Sequence, residues 1–374
     1  MHRKFSFAAA ALVCGLLLLN AWVAHAATST VLQVTPEAHR VHLPFVVGSD
    51  QSSGSVSTPT PTPSAPSIYT GLSVENAPWD MNPVLEWEQN VAGKTASIIN
   101  FWSFWSVRGE FQGFDRAAMN NVRDHGSIPM VTWAPEHRGI YVPDQPDFRL
   151  ANIIAGQYDA DIRLWAGNAR LWGHPFFLRF AHEANGSWFP WCEDANGNQP
   201  GEFVQAWRHV HDLFRAEGAT NVTWVWCMNE DWPGSPRPSF QSLYPGDAYV
   251  DWTCLDGYNW GTQYGGWRTF DGIFSYSYDT ILKVSPDKPI MLGEWATSGT
   301  GGSAADWITD AFAVKIPTHY PKIRAEVWYN VLTNVDWRVE SWPGAPEAFR
   351  AAMTSGKYRA AEFGNLSTTP IPAP

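Results

Sequence analysis

From Ile68 onward the chain repeats one pattern: a short, almost uninterrupted apolar run, a polar break, then a stretch whose apolar positions recur every three or four residues. The runs are IYTGLSV (68–74), ASIINFW (96–102), IPMVTW (128–133), PFFLRFAHE (175–183), VTWVWC (222–227), VDWTCLDGYNW (250–260), PIMLGE (289–294) and IRAEVWYNV (323–331). Runs apolar on both faces predict strands buried on both sides, the signature of a parallel sheet. Between and after them, PVLEWEQNVAG, DRAAMNNVRDHG, residues 158–172, EFVQAWRHVHDLFRAEG, a short piece near Tyr244, FDGIFSYSYDTILKV, ADWITDAFAV and PEAFRAAMTS predict helices. Strand and helix alternating eight times predict a single (β/α)8 TIM barrel. The alternative, a doubly wound open sheet, lacks a Gly-rich phosphate-binding turn after the first strand.

The pattern changes upstream. Residues 1–26 have a basic start (Arg3, Lys4), an apolar stretch and the small-residue exit Ala24-His25-Ala26, which predict a cleaved export signal and a secreted, extracellular protein. No later stretch is long and apolar enough to predict a membrane span. Residues 27–48 hold one short apolar run and suggest no function. Residues 49–66 contain 6 Ser, 3 Thr and 4 Pro and predict an extended linker. The catalytic domain is expected over residues 67–366, followed by a C-terminal tail at 367–374.

Composition narrows the partners. The 374 residues are 45% hydrophobic, which excludes wholesale disorder, and a net charge of −11 makes nucleic acid and acidic membrane surfaces poor partners. With 22 Trp the chain carries more flat ring surface than a core of this size requires, and this points to an aromatic-lined cleft. Sugar rings present apolar C–H faces that pack on such rings while their hydroxyls bond a polar rim. A polysaccharide is the expected partner and a monomer the expected state.

In a (β/α)8 barrel the chemistry sits where strands end. Two candidate strands end in a carboxylate, Glu183 and Glu294. Either alone is better explained as a cap or a solvated loop residue, but two in one barrel form the pair that glycoside cleavage requires, one acid and one nucleophile or base. Counting by twos from Glu183 puts Arg179 on the same inward set, where a cation needs carboxylate partners. Asp256 and Tyr258 share a face at the sixth strand end, and the Tyr258 hydroxyl is placed to donate to Glu294. A purely structural Arg179–Asp256 ion pair is the alternative, and the two readings are compatible.

The motifs RFAHEANGSWFPW (179–191), DGYNW (256–260) and LGEW (292–295) resemble glycoside hydrolase family 26, and the resemblance extends over about residues 67–366. It implies a retaining barrel enzyme acting within β-linked polysaccharide chains, with Glu183 as acid/base and Glu294 as nucleophile. By the same resemblance His182 stands where the wider clan usually has Asn, Trp188 flanks the cleavage point, Asp256 and Tyr258 fit the family's strand-six pattern, and Trp328 fits its strand-eight aromatic. The family's usual activity makes β-1,4-mannan the first expected substrate, with mixed-linkage β-1,3-1,4-glucan or β-1,3-xylan as alternatives. Two details depart from the mannan pattern: TWAPEHRG carries Trp133 where mannan-active members tend to have His, with His137 later, and GYNW is closer to the glucan-active branch.

Trp133, Trp188, Trp260 and Trp328 are the candidate substrate-binding aromatics; Trp102, Trp105, Trp191 and Trp295 also fall at strand ends. Outside the apolar start three cysteines remain, so one disulfide and one free thiol are expected. Cys192 lies in the loop after strand four and Cys227 closes strand five, which favours a Cys192–Cys227 bridge, with Cys227–Cys254 as the alternative. No metal or cofactor is called for: DANGN (194–198) lacks the spaced acids of an EF-hand loop, no Cys/His cluster has zinc spacing, and no GxSxG elbow occurs. A non-catalytic carbohydrate-binding barrel is the rival from another class, and retention of both Glu183 and Glu294 argues against it.

Overall fold

The structure is a computed structural model that describes residues 67–374. The expected export signal, the 27–48 segment and the linker lie outside the described residues. The eight barrel strands are β1 (Ile68–Val74), β2 (Ile98–Val107), β3 (Ile128–His137), β4 (Phe176–Phe180), β5 (Val222–Asn229), β6 (Trp252–Asn259), β7 (Ile290–Thr297) and β8 (Ile323–Asn330). Each coincides with a predicted run. All eight pair in parallel in chain order, and β1 closes on both β2 and β8, so the ring is complete. Across the β1–β8 seam the Thr70 hydroxyl donates to Glu326, a partner 256 positions away.

The helices α1 (Asn82–Trp87), α2 (Arg116–His125), α3 (Asp159–Trp172), α4 (Glu202–Ala216), α5 (Phe240–Leu243), α6 (Phe270–Val284), α7 (Ala304–Thr309) and α8 (Ala345–Met353) follow the strands in turn. In α4 the buried residues Phe203, Ala206, Trp207, Val210, Leu213 and Phe214 fall on one stripe, the spacing that turns a single helical face to the barrel. Asp115 accepts from Ala118 N at 2.9 Å and caps α2, which ends at Gly126 in the left-handed conformation.

Apolar packing forms two layers. The larger one lies between strands and helices; the smaller fills the barrel interior with Ile98, Ile128, Met130, Phe177, Val225, Trp252, Met291 and Val327. Residues 367–374, read from sequence as a tail, complete this interior: Ile371 is buried there, its N–H donating to Thr223 Oγ1 at 2.8 Å and its carbonyl accepting from Trp252 Nε1 at 2.8 Å. Among the described residues no helix is long and apolar enough to cross a membrane.

Candidate active site

Four strand ends place the polar groups of the site. On β4 the pleat turns Phe180 outward against Trp105, Trp133 and Trp207 and Arg179 inward, where it is fully buried. Arg179 Nη2 lies 3.0 Å from Glu294 Oε2 and 3.1 Å from Asp256 Oδ2. Burial opposes its charge, but Asp256 and Glu294 outweigh this and raise its pKa. Asp256 shares the guanidinium, while its own complete burial drives its carboxyl upward. The ion pair foreseen as an alternative is therefore present, and the same cation also holds the candidate nucleophile.

Glu294 reaches the interior through an irregularity. Across the β6–β7 ladder Leu255 pairs with Leu292 and Asp256 with Glu294, so Gly293 is an unpaired bulge residue. The bulge lets Glu294 follow Gly293 inward and throws Trp295 out against Phe270, Trp307 and Trp328. A Cβ on Gly293 would sit 2.4 Å from Cys254 Sγ, so the bulge depends on glycine. Tyr258 donates to Glu294 Oε1 at 2.5 Å, the bond expected from sequence.

Glu183 arrives differently from what strand alternation predicts. β4 stops at Phe180, and Ala181 and Glu183 adopt left-handed backbone with φ of 45° and 54°. Such conformations cost a non-glycine residue about 1–3 kcal/mol each and concentrate at functional sites. Glu183 Oε2 accepts from Trp188 Nε1 at 2.7 Å and Oε1 from Asn229 Nδ2 at 2.8 Å. Burial, and next the nearby Glu294, push its carboxyl up to about 7, against the opposing pull of Asn229, Arg179 and Trp188. Trp188 keeps a half-buried ring over Gly186, where a Cβ would meet the indole at 2.6 Å. His182 is buried among Trp102, Phe189 and Trp191; burial, reinforced by Arg179, holds its pKa well below the ordinary value, so the imidazole is neutral.

Two aromatic expectations are corrected. Trp133 is fully buried against Trp165 and Phe214 of α3 and α4, and Trp328 against Trp295, Phe312 and Phe349. Both rings face the helical layer because they fall on the outward parity of their strands, so neither lines the cleft. Trp105, Trp191 and Trp295 are buried likewise. Trp188 and Trp260 remain half-exposed, the latter beside Tyr258, Tyr264 and Trp337.

The disulfide is also corrected. Cys227 bridges Cys254, and Cys192 is a free, buried thiol pushed up to about 12 by that burial. The register pairs Cys227 directly with Cys254 on adjacent strands, both sulfurs pointing into the barrel beneath Asp256, whereas Cys192 Sγ faces the Glu183 carbonyl at 3.6 Å. Asn229, Asn185 and Arg237 were not singled out from sequence. Asn229 carried one usable signal: it lies two residues beyond the inward Cys227 at the end of β5.

Residues 141–286 match the model of glycosyl hydrolase family 26. Among curated proteins the chain is 36% identical over 287 residues to Endoglucanase H of Acetivibrio thermocellus, covering 75% of this chain and 30% of that protein. It is 31% identical over 178 residues to β-1,3-xylanase TXYA of a Vibrio species, covering 47% of this chain and 36% of that one. The chain thus spans about a third of these relatives' length. A Cellulomonas fimi endo-β-1,4-mannanase double mutant shares the fold with a TM-score of 0.62 at 18% identity, covering 79% of this chain and 72% of the other. The barrel, its carboxylate-bearing strand ends and these similarities lead to one assignment: the chain belongs to glycosyl hydrolase family 26.

Proposed function

We propose that the chain is an endo-acting, retaining glycoside hydrolase that cleaves a β-linked polysaccharide by double displacement. The observation that carries this reading is the unlike surroundings of two neighbouring carboxyls. Glu183 is buried and pushed up to about 7, so near neutrality a large fraction carries the proton that a leaving sugar oxygen needs. Glu294 is oriented by Arg179 and Tyr258. In the first step a Glu294 oxygen bonds to the anomeric carbon while Glu183 protonates the departing oxygen. In the second, Glu183 takes a proton from the incoming water and Glu294 leaves, so the anomeric configuration is retained.

Of the substrates the family takes, we infer a β-glucan ahead of the β-1,4-mannan first expected. The support is the 36% identity to a protein named an endoglucanase, together with the DGYNW sequence. His137, which closes the third strand, is bonded to Ser106 Oγ at 2.8 Å and packed on Phe148 in the outer layer. Reducing-sugar release from barley β-glucan, glucomannan, galactomannan and β-1,3-xylan tests the reading, with barley β-glucan the best substrate. Release from galactomannan alone restores mannan, and release from none favours the binding barrel. Early NMR spectra of the product should show the β anomer; an α product overturns retention. Export through residues 1–26 and action as a monomer are further parts of the proposal, tested by N-terminal sequencing of the secreted product and by its hydrodynamic size.

A further inference from the structure

We propose that Arg237, on the loop after β5, is a positioning residue that fixes both hydrogen-bond donors of Glu183. The inference rests on the reading of Glu183 as acid/base. Glu183 has two donors, Asn229 Nδ2 and Trp188 Nε1, and Arg237 touches both. Its Nη1 donates to Asn229 Oδ1 at 3.1 Å and to the Glu230 carbonyl at 3.0 Å. Its guanidinium carbon lies 4.9 Å from the centre of the Trp188 ring and 4.7 Å from that of Trp232.

The first contact decides which end of the Asn229 amide meets Glu183. The two ends are alike in shape and opposite in hydrogen-bonding sense. A cationic donor on one side holds Oδ1 there, so Nδ2–H is left to face the carboxyl. The Asn229 backbone is pinned separately by Asn185, through Asn229 N to Oδ1 and Asn185 Nδ2 to the carbonyl, each at 2.9 Å, so the amide rotation is the freedom Arg237 removes. The second contact covers the Trp188 ring, whose N–H is the other donor. Both donors favour the charged form of Glu183 and oppose the upward push of burial. The remaining charges around Glu183 are Arg179 on β4, Asp256 on β6 and Glu294 on β7, while Glu230 beside Arg237 is taken up by Arg268.

Arg237 therefore sets how acidic the proton donor is without touching it. Loss of its hold loosens both donors and raises the Glu183 pKa. The test is a 13C-carboxyl NMR titration of Glu183, assigned by the signal missing from Glu183→Gln, beside the pH profile of kcat/KM on the best polysaccharide. Arg237→Met should raise the Glu183 midpoint by about half to one pH unit, the worth of one weakened hydrogen bond. The alkaline limb should move up with it. kcat/KM should fall further on polysaccharide than on an activated aryl β-glycoside, whose leaving group needs no proton. Arg237→Lys restores the charge but not the flat fork, so the midpoint should stay raised. Trp232→Ala, at an exposed ring, should shift it the same way by less and serves if Arg237→Met fails to fold.

An unmoved midpoint, or full rescue by Lys, overturns the proposal. If no polysaccharide is cleaved and the midpoint still moves, the functional reading fails and the clamp stands. If the wild type is active and the midpoint does not move, the reverse holds.

Discussion

Trp188 Nε1 stands 2.7 Å from Glu183 Oε2, so the half-exposed ring beside the cleft is bonded to the carboxyl assigned as proton donor. On the proposed function, the ring read as meeting sugar and the carboxyl read as delivering the proton are therefore held together. Anything that lifts the indole also changes the environment of the acid.

With Glu183 near 7, activity on polysaccharide should fall as pH rises through neutrality, because the proton-bearing form is the one lost. Glu183→Gln should lower turnover by roughly 10²–10⁴-fold and abolish the alkaline limb. A limb that survives the substitution assigns the acid elsewhere.

The same carboxyl costs stability. Its folded pKa lies above its unfolded value, so the native state binds the extra proton and stability declines as pH rises from about 4.3 to about 7. Glu183→Gln should then match the wild type near pH 4 and exceed it at pH 8 by at most about 3.5 kcal/mol, less what the amide loses by facing a second donor. Urea unfolding at the two pH values measures this; an equal difference at both contradicts it.

Arg179 serves two acids at once. Glu294→Gln removes the proposed nucleophile but leaves Asp256 3.1 Å from Arg179, so turnover should drop by several orders of magnitude while the fold persists. Arg179→Met leaves two buried acids without their shared cation and should cost about 3–5 kcal/mol at neutral pH. Thermal unfolding separates the two variants.

Among residues 67–374 one thiol should be found, Cys192, silent to thiol reagents until the barrel unfolds. Replacing Cys227 and Cys254 together by Ala opens a loop with a sequence separation of 27 and should cost about 3.5 kcal/mol by loop entropy. Peptide mapping without reduction that recovers a free Cys227 contradicts the pairing.

Trp133→Ala and Trp260→Ala should part company. The first hollows the helical layer and should cost about 3–5 kcal/mol with kinetics of the folded fraction unchanged. The second should raise KM with little change in melting temperature. Steady-state kinetics beside calorimetry on both proteins decides it.

The eight strands were legible because strands buried on both faces leave continuous apolar runs. Asp256 and Tyr258 were legible because alternation holds along their strand, while Arg179 was reached by a parity count from Glu183 that crosses irregular backbone and came out right all the same. Legibility stopped where the backbone departs from regularity. The left-handed Ala181 and Glu183 replace the pleat that sequence parity assumed, and the Gly293 bulge exchanges Glu294 and Trp295 between faces. Trp133 was placed by nearness to a strand end and Trp328 by the family resemblance, whereas strand parity decides which way each ring faces. The Cys227–Cys254 pairing and the Arg237 contacts depend on register and loop packing between distant segments, which no local pattern encodes.

The seam between Thr70 and Glu326 has a consequence for how the protein is made. One edge of β1 has no partner until 256 further positions have been synthesised. At about 5–20 residues per second that interval is on the order of tens of seconds. Until then the growing sheet is an open ribbon with unsatisfied edges, the state most prone to mispairing and to capture by holding chaperones.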